Sequence, residues 1–216
     1  MFNRGLLMNI GYKEAIEIYN YTCIVFHDVD LIPEDDRIYY GCGKNPRHLS
    51  VAIDIYDYKQ LENVFGGVTQ LPRTIMEKVN GFSNLYFGWG GEDDDLAARI
   101  KHVSSTIEIN SPSVSRYSMI KHCHENSNPP NPERHALLNA ATRRFKYDGL
   151  SGLRYKRLHM ERNKLYTNIT VEFHLDDYRQ LLKRSLAHVK KGKRRRFGHS
   201  ITSPPPLTPR KRDKGV

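Results

Sequence analysis

Residues 23–31 read "CIVFHDVDL". Cys23 to Phe26 form a short apolar run that breaks abruptly into acids. Such a run reads as a buried strand ending at a carboxylate-bearing loop. "LSVAIDIY" (49–56) is a second apolar, β-branched run. Helical patterns flank these runs: "YKEAIEIYNY" (12–21), "RTIMEKVNGF" (73–82) closed by Gly81, and "GEDDDLAARIKHV" (91–103). Strands alternating with helices predict an α/β fold. Ligands of open α/β sheets bind outside the carboxyl ends of the strands, where Asp28 and Asp30 stand.

The later chain continues in the same manner. "SRYSMIKHCHE" (115–125) alternates like a strand and ends in a histidine cluster, and "ERHALLNAATRRF" (133–145) has helical spacing. Two late strands, near "LRYKRLHM" and "LYTNITVEF", precede a helix at about 175–188. With 216 residues the chain is long enough for one domain with a real core. Of its net charge of +10, +9 falls in residues 189–216, which hold ten Lys/Arg and one Asp. That segment is proline-rich and poor in large apolar residues, so the expected organisation is a folded domain over 1–188 and a disordered basic tail over 189–216. A solvated tail is preferred over one that binds acidic glycans or nucleic acid.

No run of 18 apolar residues exists, so no membrane span is expected, and the start "MFNRGLLMN" is not a signal peptide. Three cysteines, Cys23, Cys42 and Cys123, do not make a disulfide scaffold; one pair plus a spare thiol stays open for an oxidising compartment. "NIT" at Asn168 has the pattern of a glycosylation acceptor, which only the secretory pathway uses.

Three stretches carry chemistry. In "DVD", Asp28 and Asp30 share a face while the backbone is extended, which suits a divalent cation such as Mn²⁺ or Mg²⁺; the plain alternative is a solvated turn. In "MIKHCHE", His122 and His124 share a strand face; alone they read as a zinc site or as surface histidines, with Met119 in the core. Taken with "DVD", a shared metal site is the better single explanation. In "FGWGGEDDD" (87–95), the chain's only tryptophan, Trp89, precedes four acids. Its indole can stack on a sugar ring while Glu92 and Asp93 receive the hydroxyls, and one carboxylate can act as general base. Glycines at 88, 90 and 91 allow the loop to flex over a ligand. The acids also suit a helix N-terminus, where the macrodipole favours negative charge, and Asp95 has no other evident role.

"FHDVDLIP", "FGGVTQL", "NGFSNLYFGWGGEDDDLAARI" and "MIKH…NPPNPER" together resemble the β-1,4-galactosyltransferases, over about Phe2 to Phe173. The resemblance implies a GT-A type, Rossmann-like domain and an inverting, Mn²⁺-dependent transfer of galactose or N-acetylgalactosamine from a UDP-sugar to O4 of terminal N-acetylglucosamine on glycoproteins or glycolipids. It implies Asp93 as catalytic base with Glu92 holding the acceptor and Asp94 supporting it. It assigns Phe2, Arg4, Asp28, Val64, Gly67 and Trp89 to the donor, and Trp89, Gly91, Arg134 and His135 to the acceptor. Asp30, Met119 and His122 become the metal ligands, with His124 as a substitute. Cys23 and Cys42 become a disulfide, in keeping with the Golgi lumen.

Relative to the family pattern, the chain lacks the membrane anchor, the stem and the first strand with its nucleotide-binding turn. A truncated domain that binds UDP weakly is therefore expected, and the alternative function is an inactive sugar- or nucleotide-sugar-binding remnant. Val64 stands where galactose-specific members have tyrosine, which leaves room for the N-acetyl group of UDP-N-acetylgalactosamine. His135 replaces an expected aromatic hydrophobe. "HxH" at His122 and His124 is similar to the xylose-acceptor branch, which reads "GWGREDDE" rather than "GWGGEDDD". No nucleic-acid partner is expected, and a membrane only through the missing anchor.

Overall fold

The computed structural model describes residues 2–60, 65–103, 106–122 and 128–196, with side chains described through Ala187. Val64, Cys123, His124 and residues 197–216 lie outside the described residues.

Helix α1 spans Arg4–Ile18. It starts eight residues before the sequence pattern suggested. Asn3 caps it, its side chain accepting from the Leu6 amide at 2.9 Å. The buried face mixes Gly5, Asn9 and Glu14 with Leu6, Ile10 and Tyr12, so hydrophobic periodicity alone underreads it. Asn9 repays its burial: Nδ2 donates to the Phe82 carbonyl (2.9 Å) and to Asn84 Oδ1 (2.8 Å), while Oδ1 accepts from the Phe82 amide (2.9 Å).

Strand β1, Cys23–His27, runs antiparallel to β5, Val68–Pro72. β3, Arg47–His48, pairs antiparallel with β5 and parallel with β6, Glu108–Ile109. The resulting sheet has the order β1-β5-β3-β6. β2, Leu31–Pro33, and β4, Ala52–Ile53, flank β7, Arg116–Met119, in a second sheet. Of the second apolar run, only Ala52–Ile53 pairs as a strand; Asp54–Tyr56 then form a 3-10 turn.

Helix α2, Arg73–Lys78, ends where Asn80 and Gly81 both adopt positive φ, and the Gly81 amide returns to the Met76 carbonyl (2.9 Å). Helix α3 spans Glu92–His102. The expected helix over 133–145 is two pieces, α4 (Arg134–Leu138) and α5 (Ala141–Arg144). A hairpin of β8 (Lys156–Arg162) and β9 (Thr167–Glu172) leads to α6, Leu175–Arg196. The helical backbone of α6 thus continues eight residues past the expected boundary at 188. Lys and Arg are good helix formers, so a basic segment can continue a helix already begun.

One core cluster joins Tyr12, Phe26, Leu71, Met76, Leu96 and Ile100, packing α1, β1, β5, α2 and α3 together. A second gathers Leu6, Ile10, Leu85, Tyr86, Leu137 and Tyr178, and a third lies under Leu31, Leu49, Val68 and Tyr117. Cys23 and Cys42 form a disulfide with Cα atoms 5.6 Å apart. Among the described residues, no helix is long and apolar enough to cross a membrane.

Candidate active site

The site forms where β1 ends, β5 begins and α3 starts. His27 is the last residue of β1, and the Asp28 amide that follows donates to the Gly67 carbonyl at 3.1 Å, just before β5. The chain then turns, the Leu31 amide donating to the Asp28 carbonyl (3.2 Å). Asp28 and Asp30 therefore do not share one extended face, as their spacing suggested, and they engage different partners.

Arg4 is the hub. Its Nε donates to Asp28 Oδ1 at 3.1 Å, reinforced by a closer contact from Nη2, and its Nη1 donates to Glu92 Oε1 at 3.0 Å. One guanidinium on the first turn of α1 thus joins two acid motifs that are far apart in sequence. Burial pushes the Asp28 and Glu92 carboxyls above their ordinary range; Arg4 opposes this in both, and the neighbouring Asp93 adds to it. Burial works against the Arg4 cation too, but the charges of Asp28 and Glu92 outweigh it and its pKa is raised. Glu92 Oε2 is buried with no hydrogen-bond partner, a free acceptor in the middle of the site.

Asp93 lies against the Gly66 backbone so closely that a Cβ at residue 66 would sit 2.5 Å from its Oδ2. The carbonyl of Gly66 is in turn bonded by the buried His48, whose Nε2 lies 3.0 Å away. Gly67 packs on Ser50 and Leu31. Asp94 is exposed, with its carboxyl raised by partial burial and by Asp93 and Asp95 beside it.

The loop before α3 uses its glycines for shape. Gly88, Gly90 and Gly91 have φ of +95°, +95° and +100°, a region that side chains strain to reach. The loop is also tethered. The Gly88 amide donates to the Phe2 carbonyl (2.9 Å), the Trp89 amide to the Pro129 carbonyl (3.0 Å), and the Asn131 amide to the Trp89 carbonyl (2.9 Å). Trp89 remains 53% exposed, with the Arg134 guanidinium carbon 5.7 Å from its ring centre. Arg134 Nε in turn lies 3.4 Å from His135 Nε2. Trp89, Gly91, Arg134 and His135 are thus brought together beside Glu92 and Asp93, and Phe2 touches the same loop through its carbonyl.

Asp30 Oδ2 lies 3.1 Å from His122 Nε2. Strand β2 pairs Leu31 with Met119, so Met119 is held beside Asp30 through the sheet, and the Ile120 amide donates to the Asp30 carbonyl at 2.7 Å. Among the described residues, no three His, Cys, Asp or Glu side chains cluster as a metal site. The pair here is one carboxylate and one imidazole, while the half-buried Met119 side chain packs against the third core cluster. β7 ends at Met119, so His122 stands in a loop rather than on the strand face expected to align it with His124. Asn168 is exposed on β9.

Asp95 has a role that its position in the motif did not reveal. It is fully buried, accepting from Tyr86 Oη (2.9 Å) and Arg99 Nε (2.6 Å), with Arg144 also in contact. Asp148 closes the ring: Arg99 Nη2 reaches it at 3.2 Å, Ser83 Oγ donates at 2.6 Å, and Arg144 contacts it directly. Two arginines and two aspartates form a neutral quartet that clamps α3 to α5. The i,i+4 spacings of Asp95 with Arg99 and of Arg144 with Asp148 were visible in sequence, but their burial was not.

Family profiles match most of this region: residues 1–43 match the N-terminal region of glycosyl transferase group 7, and residues 47–123 match the N-terminal domain of galactosyltransferase. Over 173 residues the chain is 48% identical to β-1,4-galactosyltransferase 4 of Cricetulus griseus, covering 80% of this chain and 50% of that protein. It is 46% identical to β-1,4-galactosyltransferase 4 of Homo sapiens, with the same coverage. The chain spans about half the length of these relatives. The catalytic domain of Drosophila β1,4-galactosyltransferase 7, solved in complex with xylobiose, superposes with a TM-score of 0.65 at 25% identity, over 84% of this chain and 79% of that one. A mutant of the Drosophila enzyme, solved with manganese, UDP-Gal and xylobiose, superposes with a TM-score of 0.63 at 24% identity, over the same shares. The fold is accordingly of the GT-A type, and the chain belongs to the β-1,4-galactosyltransferase family.

Proposed function

We propose that the chain carries the catalytic region of an inverting, Mn²⁺-dependent glycosyltransferase. It moves galactose or N-acetylgalactosamine from a UDP-sugar to O4 of a terminal N-acetylglucosamine on a glycoprotein or glycolipid, in β-1,4 linkage. The observation that carries this reading is the convergence at Arg4, which holds Asp28 and Glu92 together where Asp93 meets Gly66.

Asp93 takes the proton from the acceptor hydroxyl as its oxygen attacks the anomeric carbon. Attack opposite the departing UDP converts an α-linked donor into a β-linked product. The unpartnered Oε2 of Glu92 accepts a hydrogen bond from a sugar hydroxyl and so orients the acceptor. Arg4 keeps Asp28 and Glu92 packed beside Asp93 and contributes positive charge where the donor's phosphates lie. The exposed face of Trp89 stacks on a sugar ring, with Arg134 and His135 at its edge. Asp30, His122 and Met119 would hold Mn²⁺, a fit supported by the approach of carboxylate and imidazole to 3.1 Å. When bound, the ion supplies Lewis-acid neutralisation of the pyrophosphate charge.

The same reading assigns the catalytic residues to 1–188, leaves 189–216 outside the catalytic domain, and puts the protein in the Golgi lumen. The Cys23–Cys42 disulfide and an exposed Asn168 sequon suit that compartment. Donor choice turns on Val64. Incubation with UDP-galactose or UDP-N-acetylgalactosamine, an N-acetylglucosamine acceptor, and Mn²⁺ or EDTA tests the proposal. A β-1,4 disaccharide formed only with Mn²⁺ is expected; no product from either donor would leave a sugar-binding remnant.

A further inference from the structure

Strand β3 carries a titratable side chain into the core that the proposed reaction does not use. His48 is 5% exposed and pairs with Thr69 of β5. A buried imidazole is stable only where its polar atoms find partners. Here Nε2 lies 3.0 Å from the Gly66 carbonyl, and the ring meets Phe65 edge-on with centres 6.0 Å apart. A carbonyl only accepts, so Nε2 carries the proton and donates. Burial pushes the His48 pKa down, against the Gly66 carbonyl and the charge of Asp93, which both raise it. At neutral pH the ring is therefore an uncharged donor. Ser50 adds a second tie. Its hydroxyl donates to the same Gly66 carbonyl at 3.3 Å and accepts from the Val68 amide at 2.8 Å. One residue on, the Gly67 carbonyl accepts from the Asp28 amide at 3.1 Å. The peptide at Gly66 is thus held by named partners on both sides. Asp93 rests on that peptide. Its Oδ1 accepts from the Asp94 amide at 2.8 Å, while its Oδ2 packs against the Gly66 backbone.

We infer that His48 is a positioning residue for Asp93: its hydrogen bond to the Gly66 carbonyl fixes the backbone wall against which the Asp93 carboxylate is set. The inference rests on the reading of Asp93 as the base of the transfer reaction. His48 acts through Gly66, not on the substrate. A base must stand within hydrogen-bond reach of the hydroxyl it deprotonates, so a wall that drifts lets the carboxylate drift with it.

The test is steady-state transfer by the full chain from the UDP-sugar to an N-acetylglucosamine acceptor with Mn²⁺, read beside melting curves. A glutamine amide reaches the place of a histidine Nε2, whereas the shorter asparagine reaches only that of Nδ1. His48→Asn should lower kcat about tenfold, the worth of one hydrogen bond, with KM for both substrates little changed. His48→Gln should recover most of the rate. In an Asp93→Asn background, His48→Asn should cost nothing further, because the group it positions is gone. A histidine that merely supports the fold would slow both backgrounds alike. Ser50→Ala, which removes the second donor to the same carbonyl, is an independent probe and should show the same dependence on Asp93. Wild-type kcat in His48→Asn, no recovery in His48→Gln, or equal losses in the two backgrounds overturns the inference while leaving Asp93 as the base. Asp93→Asn at the wild-type rate, or a wild-type chain without transfer, overturns the reading beneath it, so the two failures are told apart.

Discussion

Replacing Gly66 with alanine should damage the reaction while sparing the fold. The backbone at Gly66 does not have positive φ, so alanine is conformationally acceptable there. Its new Cβ, however, would sit 2.5 Å from Asp93 Oδ2, whereas ordinary contact begins at 3.4 Å. The other atoms of Asp93 near this point are Cγ at 3.6 Å and Cβ at 3.9 Å, so only the carboxylate oxygen must give way. It retreats by about 0.9 Å, a distance that van der Waals repulsion enforces. Misplacing a catalytic group by about 1 Å costs on the order of a hundredfold in rate. The assay is steady-state transfer from the UDP-sugar to an N-acetylglucosamine acceptor, read beside a melting curve. We expect kcat to fall about a hundredfold with the melting temperature close to wild type. A Gly66→Ala protein with wild-type kcat would refute the reasoning, because Asp93 would then not need its position.

Arg4→Met should remove about 3 kcal/mol by stranding two partly buried carboxylates. The loss should also depend on pH. Asp28 and Glu92 already bind protons more tightly folded than unfolded, so their contribution to stability is greatest at low pH and declines as pH rises through their raised values. Without Arg4 both rise further, and the gap in melting temperature between variant and wild type should widen as pH increases. Asp95→Asn should cost about 3–5 kcal/mol by unbalancing a buried quartet, or roughly 10 °C in the melting temperature of a chain this long. Circular dichroism melts at neutral pH check it, and a variant within 2 °C of wild type, roughly the shift of half a kcal/mol, would deny the quartet its role.

The parts of the molecule legible in sequence are those where one pattern dominates. Cys23 to Phe26 reads as a strand because four apolar residues stop at acids, and Glu92 to His102 reads as a helix because acids precede an amphipathic stretch. The first two turns of α1 were hidden because Gly5 and Asn9 occupy its buried face, and Asn9 is tolerated there only through partners at Phe82 and Asn84. β3 and β6 are two residues long, too short for any periodicity to register. The acid stretch shows the limits most clearly. The motif suggests that Glu92, Asp93 and Asp94 face a sugar; in the structure Glu92 meets Arg4 and Asp93 meets Gly66, while Asp94 is exposed beside them. Asp95, three residues after Glu92 and therefore on the same buried side of α3, turns into the core about a third of a turn away from the exposed Asp94. Its partners Arg144 and Asp148 come from a separate element, which no local pattern could supply.

The most direct test of the account is the kcat of Asp93→Asn. The substitution preserves size and removes the base, and general-base catalysis contributes about 10²–10⁴-fold. The account predicts a loss of that order, with an unchanged melting temperature and little change in donor binding. An Asp93→Asn protein that transfers sugar at the wild-type rate would contradict it.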